Sequence, residues 1–97
     1  MISFEWDDNK NQINKMKHGV SFQEASTVFY DEEALLRSDP DHSDEEDRFV
    51  LLGLSSELKM LVVVHCYRED DSVIRIISAR KASSIEVKTY NDRSGGI

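Results

Sequence analysis

The chain has 97 residues and a formal net charge of −7, and most of its negative charge lies in one segment. Residues 31–47 contain 9 acidic residues and 1 basic residue, whereas residues 48–97 contain 6 acidic and 8 basic residues. A chain of this length forms one small domain, and no stretch is apolar enough to cross a bilayer. The net charge argues against nucleic-acid binding over the whole surface, but the C-terminal cations allow a local site for an anionic ligand.

The sequence also bears on the cellular compartment. The N-terminus lacks a basic region followed by an apolar segment, so we expect no secretory signal and a cytoplasmic protein. The single cysteine, Cys66, lies in an apolar run and cannot form an internal disulfide. No activating partner lies near it in sequence, so we expect Cys66 to pack in the core rather than act as a nucleophile.

The N-terminus predicts a short strand and a first helix. Apolar and polar residues alternate over residues 2–6, a pattern typical of a half-buried strand. Asp7 can cap a helix that runs to about His18 and stops at Gly19 in the left-handed conformation. The spacing predicts an apolar stripe on this helix, made of Ile13, Met16 and Val20.

A second helix follows directly. Ser21 and Glu24 have the spacing of a capping box, and the predicted helix bears Phe22, Ala25, Val28 and Phe29. Lys15, Lys17 and His18 fall in the last turn of the first helix. They either complement the negative end of its dipole or contribute to a ligand site.

Residues 38–47 form an acidic segment with the only proline of the chain, and we expect a loop there. Its carboxylates are hard oxygen ligands, but the spacing lacks the central glycine and the distal glutamate of a calcium loop. We therefore expect no metal site, and instead a solvated loop or a docking surface for a basic partner.

The C-terminal half predicts a meander of strands over residues 48–54, 60–67 and 73–79, with a weaker candidate at 34–37. Leu61–Val64 is apolar on both faces, which is typical of a central strand, and His65 at its end is a core histidine or a site residue. Beyond the last strand, Ser83 and Glu86 have capping-box spacing and predict a helix that carries Ile85, Thr89 and Tyr90.

These elements predict an α+β fold with a short N-terminal strand, two helices, a four-stranded mostly antiparallel sheet and a C-terminal helix. We expect the helices to pack largely on one face of the sheet. The domain spans residues 1–93, and residues 94–97 are expected to form a flexible tail.

Residues along nearly the whole chain resemble the BrnT family of bacterial type II toxins. The matching pieces, in the order of the family, are Phe4–Asp7, Lys10, Asn14, Lys17–Phe22, Glu24–Ala25, Val28–Phe29, Asp31, Glu46, Arg48–Phe49, Gly53, Arg75–Ala82, Glu86 and Tyr90. The resemblance implies a RelE/ParE-like fold and toxicity through RNA cleavage. It also implies a DNA-binding antitoxin of the BrnA type as partner, and it allows a hetero-tetramer with that antitoxin and action at the ribosome.

Cleavage of RNA without a metal requires a base for the 2′-hydroxyl, cations for the phosphorane and an acid for the leaving 5′-oxygen. Arg75 and Arg80 suit the phosphate, because a guanidinium forks onto two oxygens. His18 suits either proton transfer, and Glu46 is a weaker base candidate. The substrate-binding candidates are Lys17, Arg48, Lys81 and Tyr90, and we expect no cofactor.

Structural roles remain open for several of these residues. Arg75 has Glu86 or Glu46 as candidate ion-pair partners, and Tyr90 either stacks on a base or covers the sheet. Two arginines close together at a strand end repel one another unless an anion or a carboxylate lies between them, which favours a site.

Two functions of different classes fit this pattern. One is a metal-independent endoribonuclease that acts on RNA and inhibits translation. The alternative is a non-enzymatic ParE-like inhibitor that binds a protein target such as DNA gyrase, because the fold alone does not separate enzyme from binder.

Overall fold

The computed structural model describes residues 2–39 and 47–94. The elements follow the predicted order: β1 (Ser3–Glu5), α1 (Asp8–His18), α2 (Phe22–Thr27), a 3-10 turn (Val28–Tyr30), β2 (Leu35–Ser38), β3 (Phe49–Leu54), β4 (Met60–Arg68), β5 (Val73–Lys81) and α3 (Ser84–Ser94). Most of the predicted acidic loop and all but the first residue of the predicted tail lie outside the described residues. Within the described part of the chain, no helix is long and apolar enough to cross a membrane.

The five strands form one mixed sheet in the order β1-β5-β4-β3-β2. The pairs β2–β3, β3–β4 and β4–β5 are antiparallel, as predicted. β1 pairs with β5 in parallel and adds a fifth strand to a sheet that was expected to have four. β4 lies in the middle of the sheet, which confirms the prediction drawn from its run of apolar residues.

The predicted ends of α1 are confirmed. The Asp7 side chain accepts a hydrogen bond from the Lys10 N–H at 3.0 Å. Gly19 ends the helix with φ of 70°, and its N–H donates to the Lys15 carbonyl at 2.8 Å. A residue without Cβ adopts this left-handed conformation at little cost, so the glycine fixes the end of the helix.

The predicted apolar stripe of α1 is wrong for two of its three residues. Ile13 and Met16 are 61% and 88% exposed, and only Val20, beyond the helix, is buried. The buried residues of α1 are Asn11 and Asn14. The helix therefore turns its polar amides toward the protein and its large apolar side chains away from it.

Hydrogen bonds explain this orientation. The Asn14 side chain donates to the Val20 and Ala79 carbonyls at 2.9 and 2.8 Å and accepts from the Ala79 N–H at 3.1 Å. The Asn11 side chain accepts from the Phe22 N–H at 2.8 Å. The amides of α1 thus pair with backbone groups that would otherwise be buried without partners, and this orientation leaves the apolar side chains of the helix on the outside.

The main core lies on the face of the sheet that α2 and the 3-10 turn cover. Its buried members come from the connection between α1 and α2, from this helical segment and from β3, β4 and β5, and are Val20, Phe22, Ala25, Val28, Leu51, Leu61, Val63, Ile74, Ile76 and Ala79. Gly53 keeps this layer close to the sheet, because a Cβ there would lie 2.8 Å from the Val28 side chain and 2.9 Å from the Ala34 side chain. Cys66 is buried, as expected for a packing residue.

His65 is a core histidine, which was one of the two alternatives left open by the sequence. It is fully buried, and its ring lies 4.7 Å from the Phe29 ring and 5.2 Å from the Tyr67 ring. Its ring nitrogens lie 3.2 Å from the Val63 carbonyl and 3.2 Å from the Tyr67 hydroxyl. Burial lowers the pKa of His65 to about 4, so the imidazole is neutral at physiological pH.

α3 packs on the opposite face of the sheet, so the prediction that the helices lie largely on one face is wrong for this helix. Tyr90 packs there against Leu52 and Val62. Its hydroxyl donates to Asp31 at 2.8 Å, and the Leu54 N–H donates to the same oxygen at 2.8 Å. Burial alone would raise the pKa of Asp31, but these hydrogen bonds and one from the backbone of Glu33 outweigh it and lower the pKa. The ionised Asp31 carboxylate thereby links Tyr90 of α3 to Leu54 of β3.

Candidate active site

A groove of about 560 Å³ lies on the face of the sheet that α3 covers only in part. His18, Arg37 and Arg80 line it. The remaining lining residues are Ser38, Asp39, Val50, Val62, Val64, Ser78, Ala79 and Glu86. Two residues that the sequence singled out, His18 and Arg80, therefore meet in one concave site.

The sheet register explains how the strands build this groove. Arg80 lies opposite Val62, and Arg37 lies opposite Val50, which in turn faces Val64. Side chains alternate between the faces of a sheet, so these positions share the face away from the main core. Val50, Val62 and Val64 therefore form the floor of the groove, with Arg37 on one side and Arg80 on the other.

α1 brings His18 to the groove by covering the edge of β5. β1 pairs with β5 only from Val73 to Arg75, so the later part of β5 has no strand on that side. The Asn14 amide takes the place of a strand there, through its two hydrogen bonds with the backbone of Ala79. His18 follows Asn14 by about one helical turn and therefore lies next to the end of β5.

Arg80 is held by a bidentate contact with Glu86. The Arg80 Nη1 and Nη2 donate to the two Glu86 carboxylate oxygens at 2.8 and 2.9 Å. The predicted capping box is confirmed, since the Ser83 N–H donates to Glu86 at 2.8 Å and the Glu86 N–H donates to the Ser83 hydroxyl at 3.2 Å. The first turn of α3 thus fixes the position of the Glu86 carboxylate, which in turn fixes the Arg80 guanidinium.

The charge state of this pair follows from the contact. The hydrogen bond from Arg80 lowers the pKa of Glu86 to about 2, against the opposing effect of burial, and the same contact raises the pKa of Arg80. Glu86 is therefore ionised throughout the physiological range and is unsuited to donate a proton. It positions Arg80.

Part of the Arg80 guanidinium remains open to a ligand. Two of its donors bind Glu86, and Nη1 also donates to the Lys81 carbonyl at 3.3 Å. Arginine has five N–H donors. The Nε–H and the second Nη2–H have no partner among the described residues, and these two groups can fork onto a phosphate.

Arg75 does not join Arg80, contrary to the prediction of an arginine pair. It lies opposite Cys66 on β4, four residues from the partner of Arg80, which corresponds to about 13 Å along the strand. Its Nη1 donates to Glu5 at 2.8 Å, and Arg68 lies 3.6 Å from the same carboxylate. Arg75 is paired with Glu5 and Arg80 with Glu86, so the two arginines need no shared anion between them. Glu86, a predicted partner of Arg75, therefore pairs with Arg80 instead.

Tyr90 is also not a base-stacking residue. Tyr90 is only 9% exposed, and its side chain packs against the sheet with its hydroxyl donating to Asp31. The alternative that the sequence left open, that Tyr90 covers the sheet, is correct.

The other predicted site residues fall into two groups. Lys17, Arg48 and Lys81 are described, but they are not part of the groove lining. Glu46 lies outside the described residues, so its role as a base stays a prediction.

One residue of the groove, Arg37, was not predicted as a site residue, and the role of a second, Glu86, was predicted only in part. Arg37 was assigned only to a weak strand, although it is the single base within the strongly acidic segment 31–47. It forms no ion pair with any residue of the described ranges. Glu86 was recognised as a cap, and only the fold shows that its carboxylate also holds Arg80.

Comparisons with known proteins agree with this architecture. A family model described as "Ribonuclease toxin, BrnT, of type II toxin-antitoxin system" matches residues 6–86. The crystal structure of the Brucella abortus ribonuclease toxin BrnT, at 1.1 Å resolution, superposes with a TM-score of 0.63 at 23% sequence identity and covers 87% of this chain and 100% of that chain. No curated protein sequence matches the chain. The resemblance drawn from the residues is confirmed by the family match, and the fold by the structural match.

Proposed function

Since this chain belongs to the BrnT family of ribonuclease toxins of type II toxin-antitoxin systems, we propose that it cleaves RNA without a metal ion in the groove between His18, Arg37 and Arg80. The ribonuclease activity of the family favours the enzyme over the alternative of a non-enzymatic gyrase inhibitor. We further propose that the cleavage inhibits translation in the cytoplasm and that an antitoxin of the BrnA type neutralises it.

One observation carries the proposal. His18 and Arg80 line the same groove. Glu86 binds two of the Arg80 N–H groups and leaves the Nε–H and one Nη2–H available to a phosphate. A preorganised guanidinium stabilises charge that develops on a phosphate without having to rearrange first. Arg37, on the other side of the groove, supplies a second cation for the same phosphate.

The reaction in this site is an attack of the ribose 2′-oxygen on the adjacent phosphorus. A bond forms between the 2′-oxygen and phosphorus, and the bond from phosphorus to the 5′-oxygen breaks, which leaves a 2′,3′-cyclic phosphate and a 5′-hydroxyl. His18 is the proton-transfer group of the groove, and an imidazole suits either the base or the acid role. Arg80 and Arg37 hold the phosphorane. Glu46 stays a prediction as the base that takes the 2′-hydroxyl proton, and His18 then protonates the leaving 5′-oxygen.

The test is RNA cleavage in vitro in EDTA by the purified, antitoxin-free protein and by Arg80→Ala and His18→Ala variants. We expect cyclic-phosphate ends from the wild type and a loss of rate of at least about 100-fold in each variant, because each removes a group that acts on the transition state. Arg68→Ala is the matched control. Arg68 has a side-chain exposure of 45%, against 46% for Arg80, and also contacts a glutamate, but it lies outside the groove.

Two results would contradict the proposal. Cleavage at the wild-type rate by Arg80→Ala would remove the groove from the reaction. Activity that is absent in EDTA and restored by added Mg²⁺ would overturn the metal-free mechanism. Dependence on the ribosome, and a hetero-tetramer with the antitoxin, stay predictions that the same preparations can test.

A further inference from the structure

The side of α1 that faces away from the sheet carries the two large apolar side chains of this helix. Ile13 is 61% exposed and Met16 is 88% exposed, while Asn11 and Asn14 are buried. A surface helix of a single domain normally shows the reverse arrangement, with its apolar stripe on the core. Packing within the described chain does not account for Ile13 and Met16.

Two lysines lie beside these apolar residues on α1. At 100° per residue, Lys10, Ile13, Met16 and Lys17 fall within an arc of about 120°, and Asp8, the acidic residue of α1, lies outside this arc. Neither lysine forms an ion pair with any residue that the structure describes. We call these four residues the α1 outer face. Along the helix axis it has a lysine at each end with the two apolar side chains between them, and around the axis both lysines lie on the same side of Ile13 and Met16.

We propose that the α1 outer face binds an acidic, amphipathic segment of the antitoxin. The proposal rests on the assignment of the chain to a toxin-antitoxin system, which supplies a protein partner. Acidic side chains complement Lys10 and Lys17, and apolar side chains complement Ile13 and Met16. An exposed methionine is well suited to such contacts, because its flexible side chain adapts to the partner.

Two other occupants fit less well. An RNA strand would satisfy the lysines through its phosphates, but its backbone offers little to an isoleucine and a methionine at the centre of the face. A second copy of this chain, packed about a two-fold axis, would bring Lys10 of one copy toward Lys17 of the other, and like charges would oppose each other.

The position of the face links binding to inhibition. α1 ends at His18, which lines the groove, and is joined to the end of β5 through Asn14. A partner segment that lies along α1 therefore reaches the wall of the groove at one end. This places the bound antitoxin next to the phosphate site.

The experiment measures binding of the antitoxin encoded beside the toxin to the full-length protein by calorimetry. In the double variant Ile13→Ser/Met16→Ser we expect the Kd to rise about 30-fold or more, because exposed apolar residues at the centre of an interface carry much of its affinity. In Lys10→Glu we expect about a tenfold rise and a weaker dependence on salt. Leu58→Ser is the control, since Leu58 is 78% exposed in the turn after β3, and its Kd should stay at the wild-type value.

RNA cleavage by the same proteins separates this proposal from the proposed function. We expect the double variant to cleave RNA at the wild-type rate while more antitoxin is needed to stop it. Wild-type affinity in the double variant overturns the docking site, whether or not the protein cleaves RNA. An equal loss of affinity in Leu58→Ser also overturns it, because the effect would then not be specific to α1.

The two kinds of variant test different parts of the inference. If Lys10→Glu binds as the wild type does, the acidic character of the partner segment is wrong. Thermal unfolding of each variant shows whether the fold is intact. If the double variant is unstable, Lys10→Glu alone decides, because Lys10 is an exposed residue near the start of α1.

Discussion

Glu86 serves the helix and the candidate site with the same carboxylate. It accepts a hydrogen bond from the Ser83 N–H at the start of α3 and two from Arg80. Because its pKa is lowered to about 2, the charge that holds Arg80 persists at any pH at which the toxin acts. The orientation of Arg80, the proposed phosphate-binding group, is therefore already fixed before a ligand binds.

We predict that Glu86→Gln lowers the rate of RNA cleavage about 10- to 100-fold. A neutral amide holds the Arg80 guanidinium less firmly, and a small misplacement of a catalytic group lowers a reaction rate by about this factor. Cleavage assays beside thermal unfolding check this. Asp92→Asn is the control, since Asp92 forms an exposed pair with Lys88 on the same helix, at 2.7 Å, and lies outside the groove. A rate in Glu86→Gln equal to that of the control would show that Arg80 needs no positioning.

At the scale of the element, α1 is joined to the sheet by amides where a stripe of apolar side chains was expected. Asn14 replaces a missing strand at the open edge of β5, through hydrogen bonds to the N–H and the carbonyl of Ala79. This contact has two consequences. It places His18 at the groove, and it leaves Ile13 and Met16 exposed on the outer side of the helix.

We predict that Asn14→Ala lowers the free energy of unfolding by about 3 kcal/mol, because it leaves buried backbone groups of Val20 and Ala79 without partners. Cleavage activity should fall as well, since α1 carries His18. Urea denaturation measures the first effect, with Gln12→Ala, on the exposed side of the same helix, as the control. A change below about 0.5 kcal/mol, typical of surface substitutions, would contradict the role of Asn14.

At the scale of the whole molecule, the buried His65 links stability to pH. Its pKa is about 4 in the folded protein, against an ordinary value of 6.5. Between these values the unfolded chain binds more protons than the folded one, so stability rises with pH through this window and is lost as pH falls. The rings of Phe29, Phe49 and Tyr67 surround the imidazole and keep water from it, so its charged form is poorly solvated.

We predict that the free energy of unfolding of the wild type falls by up to about 3 kcal/mol more than that of His65→Phe between pH 7 and pH 4. The phenylalanine keeps the aromatic packing and removes the titrating group. Urea denaturation at several pH values measures the difference, and the carboxylates contribute equally to both proteins. Parallel profiles would show that His65 does not bind fewer protons in the folded state.

The amino-acid sequence by itself determined the elements and the family. Helix caps at Asp7, Gly19 and Ser83 are local signals, because a cap satisfies backbone groups within a few residues, and all three lie where the sequence placed them. The apolar run Leu61–Val64 likewise identified the central strand, since only a strand covered on both faces needs no polar side.

Only the tertiary structure decided which of the candidate residues meet. The register of β5 separates Arg75 from Arg80, and the other edge of the sheet supplies Arg37, far away in sequence. The buried face of α1 could not be predicted from its apolar spacing, because the edge of β5 that Asn14 satisfies is defined only by the sheet, in which β1 covers Val73–Arg75 and leaves Ala79 without a neighbouring strand. Contacts within one turn are encoded locally, whereas partners across the sheet depend on the whole set of strand pairings.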